Sequence, residues 1–203
     1  MNEIDAIDLL KKGNLDGLEP LVEKYYFQAV RTAYLIVQDT GLAEDIVQAA
    51  FLSASRKIEQ LSSARFGPWF FKSVINAAIK EAKRQNKLIP LNEPEDEFTA
   101  HLKDWLIDRQ PAPEAIVESQ ETHQQIKLAL RRLTPDQRGA VVAKYFLDMK
   151  EIEISRSLNA PVSSIKWWLH TARRKLRQFL SEEKDPNDSP DSQSSLACEK
   201  EKE

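Results

Sequence analysis

The stretch from Met149 to Arg177 constrains this chain more than any other. Two short runs with helical apolar spacing flank Leu158-Asn159-Ala160-Pro161. Asn tolerates the left-handed backbone that a tight turn between helices demands. Pro161 suits the opening of the next helix, where its missing N–H would be unpaired anyway. Ile152, Leu158, Ile165 and Leu169 recur at a spacing that packs one helix on the other. The second run is rich in polar and cationic side chains. This is the layout of a helix-turn-helix over about 150–169, whose second helix enters a DNA major groove with its first turns on base edges.

The charge pattern agrees with that reading, although the net charge of −3 taken alone argues against nucleic acid. Residues 1–53 carry −5, 54–90 carry +6, 91–123 carry −7, 124–180 carry +8 and 181–203 carry −5. Two basic blocks separated by an acidic one suggest two DNA-facing modules and a connector.

Helical periodicity dominates, strand alternation is nearly absent, and only five glycines occur in 203 residues. The expected fold class is all-α: two small helical domains joined by an acidic, proline-containing linker. Helices are expected over about Ile4–Lys11, Leu18–Val37, Leu42–Gln60 and Pro68–Asn86, with a break at Asp39-Thr40-Gly41. A second set is expected over Glu114–Leu133, Thr134–Tyr145, Lys150–Leu158 and Pro161–Leu180. Thr134-Pro135 is a strong start signal, a Thr cap followed by Pro in the first turn. The domains are therefore 1–87 and 114–180, the linker 88–113, and the polar acidic tail 181–203 is expected to be disordered.

Three stretches carry candidate chemistry. Ala43 to Ile58 places Glu44, Asp45, Gln48, Ser55 and Lys57 around an exposed face, with Ile46, Val47, Ala50, Phe51 and Ala54 inward; it reads as a partner surface or as a solvated amphipathic helix. Trp69 to Lys87 interleaves Trp69, Phe70 and Phe71 with Lys72, Asn76, Lys80, Lys83, Arg84 and Lys87. Rings beside cations suit single-stranded DNA, where bases stack and phosphates pair; the other reading is core aromatics with a solvated basic face. At least one of the three rings should lie near the surface. On the helix-turn-helix, Ser163, Ser164, Lys166, Trp167 and His170 form the expected groove-facing set. Arg173, Arg174, Lys175 and Arg177 are expected on phosphates. Ile165, Trp168 and Leu169 fit one apolar stripe, which turns Trp167 outward.

These motifs together resemble a known family. The order is AEDIVQAAF, a Trp-containing basic helix, an acidic linker, and then LRRLTPDQRGAVVAKYFLDMKEIEISRSLNAPVSSIKWWLHTARRKLR. From roughly Leu15 to Leu180 the chain resembles the extracytoplasmic-function (ECF) group of bacterial sigma factors, which keep the two domains called region 2 and region 4. The resemblance implies transcription initiation: binding to core RNA polymerase and direction of it to promoter DNA. It implies that Glu44, Asp45, Gln48, Phe51 and Ser55 bind core polymerase. It implies that Trp69, Phe70, Lys72, Asn76, Lys80, Lys83 and Arg84 meet the melted minus-10 element. Ser163, Ser164, Lys166, Trp167, His170, Arg173 and Arg174 would meet the minus-35 element. An anti-sigma factor is implied as a regulatory partner. Lys80 stands where the family commonly has Asp, and Trp167-Trp168 where it has a small residue and Arg.

The competing readings are a stand-alone helix-turn-helix regulator and an inactive sigma-like protein that titrates an anti-sigma factor. No enzymatic activity, catalytic residue, metal or cofactor is expected. Cys198 is the sole cysteine, and His101, His123 and His170 are scattered. The first residues lack the bases and apolar run of a signal peptide, and no run of about 18 apolar residues occurs. A cytoplasmic protein without membrane insertion is expected.

Overall fold

A computed structural model describes residues 1–61, 65–85 and 125–182. The expected linker 88–113, most of the tail, Lys87, Cys198, His101 and His123 lie outside the described residues.

Helix α1 (Glu3–Lys11) starts at Asn2, whose side chain accepts the Asp5 N–H at 2.8 Å. A 3-10 turn, Leu15–Gly17, leads into α2 (Leu18–Val37). Gln38, left-handed at φ 62°, ends α2, and the Asp39 carboxylate then accepts the Leu42 N–H at 2.7 Å to start α3 (Thr40–Lys57). Thr40 and Gly41 thus belong to the first turn of α3 and not to the expected break, because the Asp cap lets the new helix begin at once. The 3-10 turn Ile58–Gln60 follows. Helix α4 (Phe66–Gln85) begins two residues earlier than expected, with Pro68 in its first turn, where no intrahelical donor is required. The Glu3 carboxylate accepts the Phe66 N–H at 3.1 Å, so α1 supplies a cap for α4.

The helical run 125–131, here α5, precedes α6 (Pro135–Tyr145), α7 (Glu151–Leu158) and α8 (Val162–Glu182). The start at Thr134 is as expected: its hydroxyl accepts the Gln137 N–H at 3.3 Å, while the Gln137 side chain accepts the Thr134 N–H at 3.2 Å. Asn159 takes the left-handed turn position, φ 49° and ψ 45°. The α7–α8 contact differs from expectation in one residue. Ile154 is buried against Ile165, Leu169 and Ala172, whereas Ile152 is 48% exposed. Two residues on a helix differ by about 200°, so one isoleucine faces inward only at the expense of the other. Helix α8 continues to Glu182, two residues into the expected tail.

Among the described residues there is no strand, and the fold is all-α. Helices α2, α3 and α4 pack on one another around Leu21, Val47, Phe51, Phe66, Phe70 and Val74. Helix α6 is buried on nearly every side: it lies against α2, α4, α7 and α8 at once. Its small residues permit this. A Cβ at Gly139 would collide with Ile79 of α4. The buried Arg138 guanidinium donates to the carbonyls of Ile36 and Leu133. Burial, and next to it the neighbouring Arg131, lowers its pKa to about 10. Gln38 donates to the Lys127 carbonyl at 3.0 Å and accepts from Arg131 at 3.1 Å, and the Arg31 guanidinium sits 4.9 Å from the Phe146 ring. The apolar core is therefore continuous between the two helical sets.

Candidate nucleic-acid and polymerase interfaces

The periodicity of α3 separates its faces cleanly. Ala43, Ile46, Val47, Ala50, Phe51 and Ala54 are buried, while Asp45 and Gln48 are exposed. Glu44 is half-buried and lies near Tyr26, whose hydroxyl is held above its usual range by burial and then by that carboxylate. Ser55 is half-buried and donates to the Leu52 carbonyl at 3.0 Å. Phe51 does not join this surface. It is 4% exposed, with its ring 4.3 Å from that of Phe70, and its place is in the core. Leu52 was missed by the sequence reading. It is 54% exposed and stands four residues after Gln48 and seven after Asp45, on the same stripe. The signal was the helical spacing itself, passed over because a leucine reads as core.

On α4 the rings and the cations part company. Phe70 and Phe71 are buried; Phe70 stacks on Phe66 at 5.1 Å. Trp69 is the half-buried ring, 5.8 Å from Phe66. One aromatic near the surface was expected, and it is Trp69; Phe70 supports the core and presents no ring to a base. Lys72, Asn76, Lys80, Lys83 and Arg84 are exposed. Three of these five have partners within the chain. Asn76 donates to the Lys72 carbonyl at 2.8 Å and to the Ser157 carbonyl of α7 at 2.7 Å. Lys83 pairs with Asp136 of α6 at 2.7 Å, and Arg84 with Glu81 at 2.6 Å.

On α8 the alternation holds through three turns. Ile165, Leu169 and Ala172 are buried; Ser163, Lys166, Trp167, His170, Arg173 and Arg174 are exposed, and Ser164 is half-buried. Trp167 is 61% exposed, while Trp168 is half-buried against the core. The side chain of Arg173 donates to the Leu169 carbonyl at 3.3 Å, which sets it along the helix. Lys175 departs from expectation. Half-buried, it turns back toward the Arg132 carbonyl at 3.4 Å and Gln137 at 3.5 Å, because it falls on the side of α8 that meets α6. Among the described residues no group of His, Cys, Asp and Glu is placed to hold a metal ion.

The family model for Sigma-70 region 2 matches residues 21–88, and that for Sigma-70, region 4 matches residues 123–176. The RNA polymerase sigma-H factor of Bacillus subtilis is 30% identical over 197 residues, covering 89% of each chain. The ECF RNA polymerase sigma factor SigW of the same organism is 27% identical over 176 residues, 86% of this chain and 94% of the relative. A solved structure of CnrH in complex with the cytosolic domain of CnrY shares the fold at a TM-score of 0.60 and 17% identity, over 88% of this chain and 97% of that one. Two region models in the expected order, and relatives aligned along nearly the whole length, leave one conclusion: the chain belongs to the ECF group of the sigma-70 family and is an RNA polymerase sigma factor that directs the enzyme to promoters.

Proposed function

We propose that this sigma factor divides promoter recognition between two helices and core binding onto a third. Residues 114–180 form the region 4 unit. In it the outward face of α8 holds the minus-35 duplex, with Ser163, Ser164, Lys166, Trp167 and His170 toward the bases and Arg173 and Arg174 on phosphates. Residues 1–87 form the region 2 unit. Its α4 takes the melted minus-10 strand: Lys72, Asn76, Lys80, Lys83 and Arg84 meet backbone and base edges, and Trp69 offers the stacking surface. Asp45 and Gln48 on α3, with Glu44 and Ser55 at the edge and Leu52 beside them, face the polymerase core.

The observation that carries this is the division on α8. A large ring, Trp167, stands in solvent beside cations while its neighbour Trp168 packs inward. An exposed ring of that size in a soluble helix costs solvation unless a partner covers it. A major groove covers it, because the ring meets base edges while the surrounding cations meet phosphates.

The protein supplies specificity and no bond-making chemistry. Unstacking bases costs a few kcal/mol per step, and ring stacking worth about 1–3 kcal/mol per base offsets it. An anti-sigma factor is the proposed regulatory partner; CnrH, which shares the fold, was solved with the cytosolic domain of CnrY bound. No helix among the described residues is long and apolar enough to cross a membrane, and action in the cytoplasm is proposed. The test is promoter-directed transcription by purified core polymerase with this chain added. Transcript start sites that appear only with the chain support the proposal. Promoter duplex bound tightly without polymerase, and no new transcript with it, points instead to a stand-alone regulator.

A further inference from the structure

We infer that Glu3 of α1 is a positioning residue for minus-10 capture: its carboxylate fixes the first turn of α4 and, through Phe66, the ring of Trp69. The inference rests on the assignment of Trp69 to the melted strand.

The first N–H groups of a helix lack acceptors within it, so its start frays unless another group meets them. The need is acute on α4, because its first turn, Phe66 to Trp69, carries the ring that a base must find. Glu3 lies 63 residues away in the chain, yet its Oε1 accepts the Phe66 N–H at 3.1 Å. Its Oε2 accepts the Tyr25 hydroxyl at 2.8 Å. Only 19% of the Glu3 side chain is exposed, so water competes little for these bonds. Tyr25 carries the constraint into α4. Its ring lies 5.5 Å from that of Phe66 and 6.0 Å from that of Phe71. A Cβ at Gly67 would stand 3.1 Å from Tyr25 Cε1, so the bare backbone of the first turn rests against the Tyr25 ring. Phe66 is fully buried and backs Trp69 at 5.8 Å. A carboxylate thus holds the backbone end, a phenol ring holds the side of the turn, and Trp69 leans on what they hold. Stacking on a base depends on where the ring stands. A misplacement of about 1 Å can cost on the order of 10²-fold without loss of the fold. The polymerase-facing Asp45 and Gln48 lie on α3, outside this chain of contacts, so capture and core binding can be measured apart.

The test is a double-mutant cycle in holoenzyme assembled from purified core polymerase and the full chain. Opening is followed through a fluorescent base analogue in the minus-10 element of a promoter mapped by its transcript start. Trp69→Ala should slow opening about tenfold, the scale of one lost stack of base on ring. Glu3→Ala should slow it about fivefold, and Glu3→Gln, which keeps an oxygen for the Phe66 N–H, less than about twofold. In the Trp69→Ala background, Glu3→Ala should add nothing. Affinity of the Glu3 variants for core polymerase should stay within about twofold of the parent, because α3 is outside the cycle. Losses that multiply in the double variant overturn the route through Trp69. Glu3→Gln as slow as Glu3→Ala overturns the role of the bond to Phe66. A Glu3→Ala holoenzyme that opens at the parent rate, or core affinity that falls as far as opening, overturns the positioning role and leaves Trp69 on the strand. A Trp69→Ala holoenzyme that opens at the parent rate removes Trp69 from the strand-facing set, and the positioning role with it.

Discussion

Helices α4 and α8 carry the same ingredients, aromatic rings beside cations, and put them to opposite use. On α4 the rings turn inward, Phe70 fully and Trp69 in part, and Asn76 and Lys83 are met by the chain's own C-terminal helices. On α8 one ring, Trp167, stands outside, with Lys166 and Arg174 exposed beside it. The lesson is that composition along a helix does not say which groups are free. Register against the core decides the rings, and the neighbouring helices decide the cations.

The largest test of this contrast is stability. Phe70→Ala should cost about 3–5 kcal/mol, as for other buried aromatic truncations, because its ring packs between Phe51 and Phe66. Trp168→Ala, at a half-buried site, should cost about 2 kcal/mol. Trp167→Ala should stay within about 0.5 kcal/mol of the parent while weakening upstream duplex binding. Urea denaturation followed by circular dichroism ranks the three. If Trp167 proves costlier than Trp168, the register drawn for α8 is wrong and the groove-facing set must be reassigned.

This ranking also marks what the sequence disclosed. The helix-turn-helix was legible because turn chemistry is local: Asn159 needs nothing but its own backbone to read as a left-handed turn. The Thr134 start was legible for the same reason. The inward and outward tryptophans followed from a 100° step. Where the reading failed, the cause was tertiary. Ile152 and Ile154 are equally apolar, and only the direction of α8 selects the second. Phe51 is buried as its spacing on α3 indicated, against the ring of Phe70, and only the binding role implied by the family resemblance placed it on the surface. Along the second half of α2, Thr32 and Ile36 are buried as well as Ala29, Ala33 and Val37, because α6 packs on this helix too. No pattern within α2 announces a neighbour that lies about 100 residues away.

Salt dependence sharpens the contrast further. Arg174→Ala should reduce the slope of log affinity against log salt by about 0.9 for duplex DNA, one phosphate's worth, with sequence preference retained. Lys83→Ala should reduce the slope for single strands by about 0.7. Its loss of affinity should be smaller than that slope suggests, since Lys83 must leave Asp136 to meet a phosphate. Titrations at four salt concentrations separate the two effects. Equal slopes for parent and variant would remove Arg174 or Lys83 from the phosphate-facing set.

The smallest expected effect lies at the other end of α4. Glu3 holds three donors: the Lys24 ammonium, the Tyr25 hydroxyl at 2.8 Å and the Phe66 N–H at 3.1 Å. Burial pushes its carboxyl upward, but the bonds from Lys24, Tyr25 and Phe66 together outweigh burial and leave it below the usual range. A depressed carboxylate adds stability above the unfolded-state pKa, about 4.3 for Glu, and loses it as pH falls through the lower folded value. Glu3→Gln should therefore cost about 1 kcal/mol at neutral pH, the scale of a helix cap, and progressively less as acid protonates the parent. Melting temperatures of the two proteins should converge below pH 4. Parallel curves down to pH 3 would mean that the carboxylate charge does not hold the start of α4, and that the neutral hydrogen bonds suffice to seat this helix where Trp69 meets its strand.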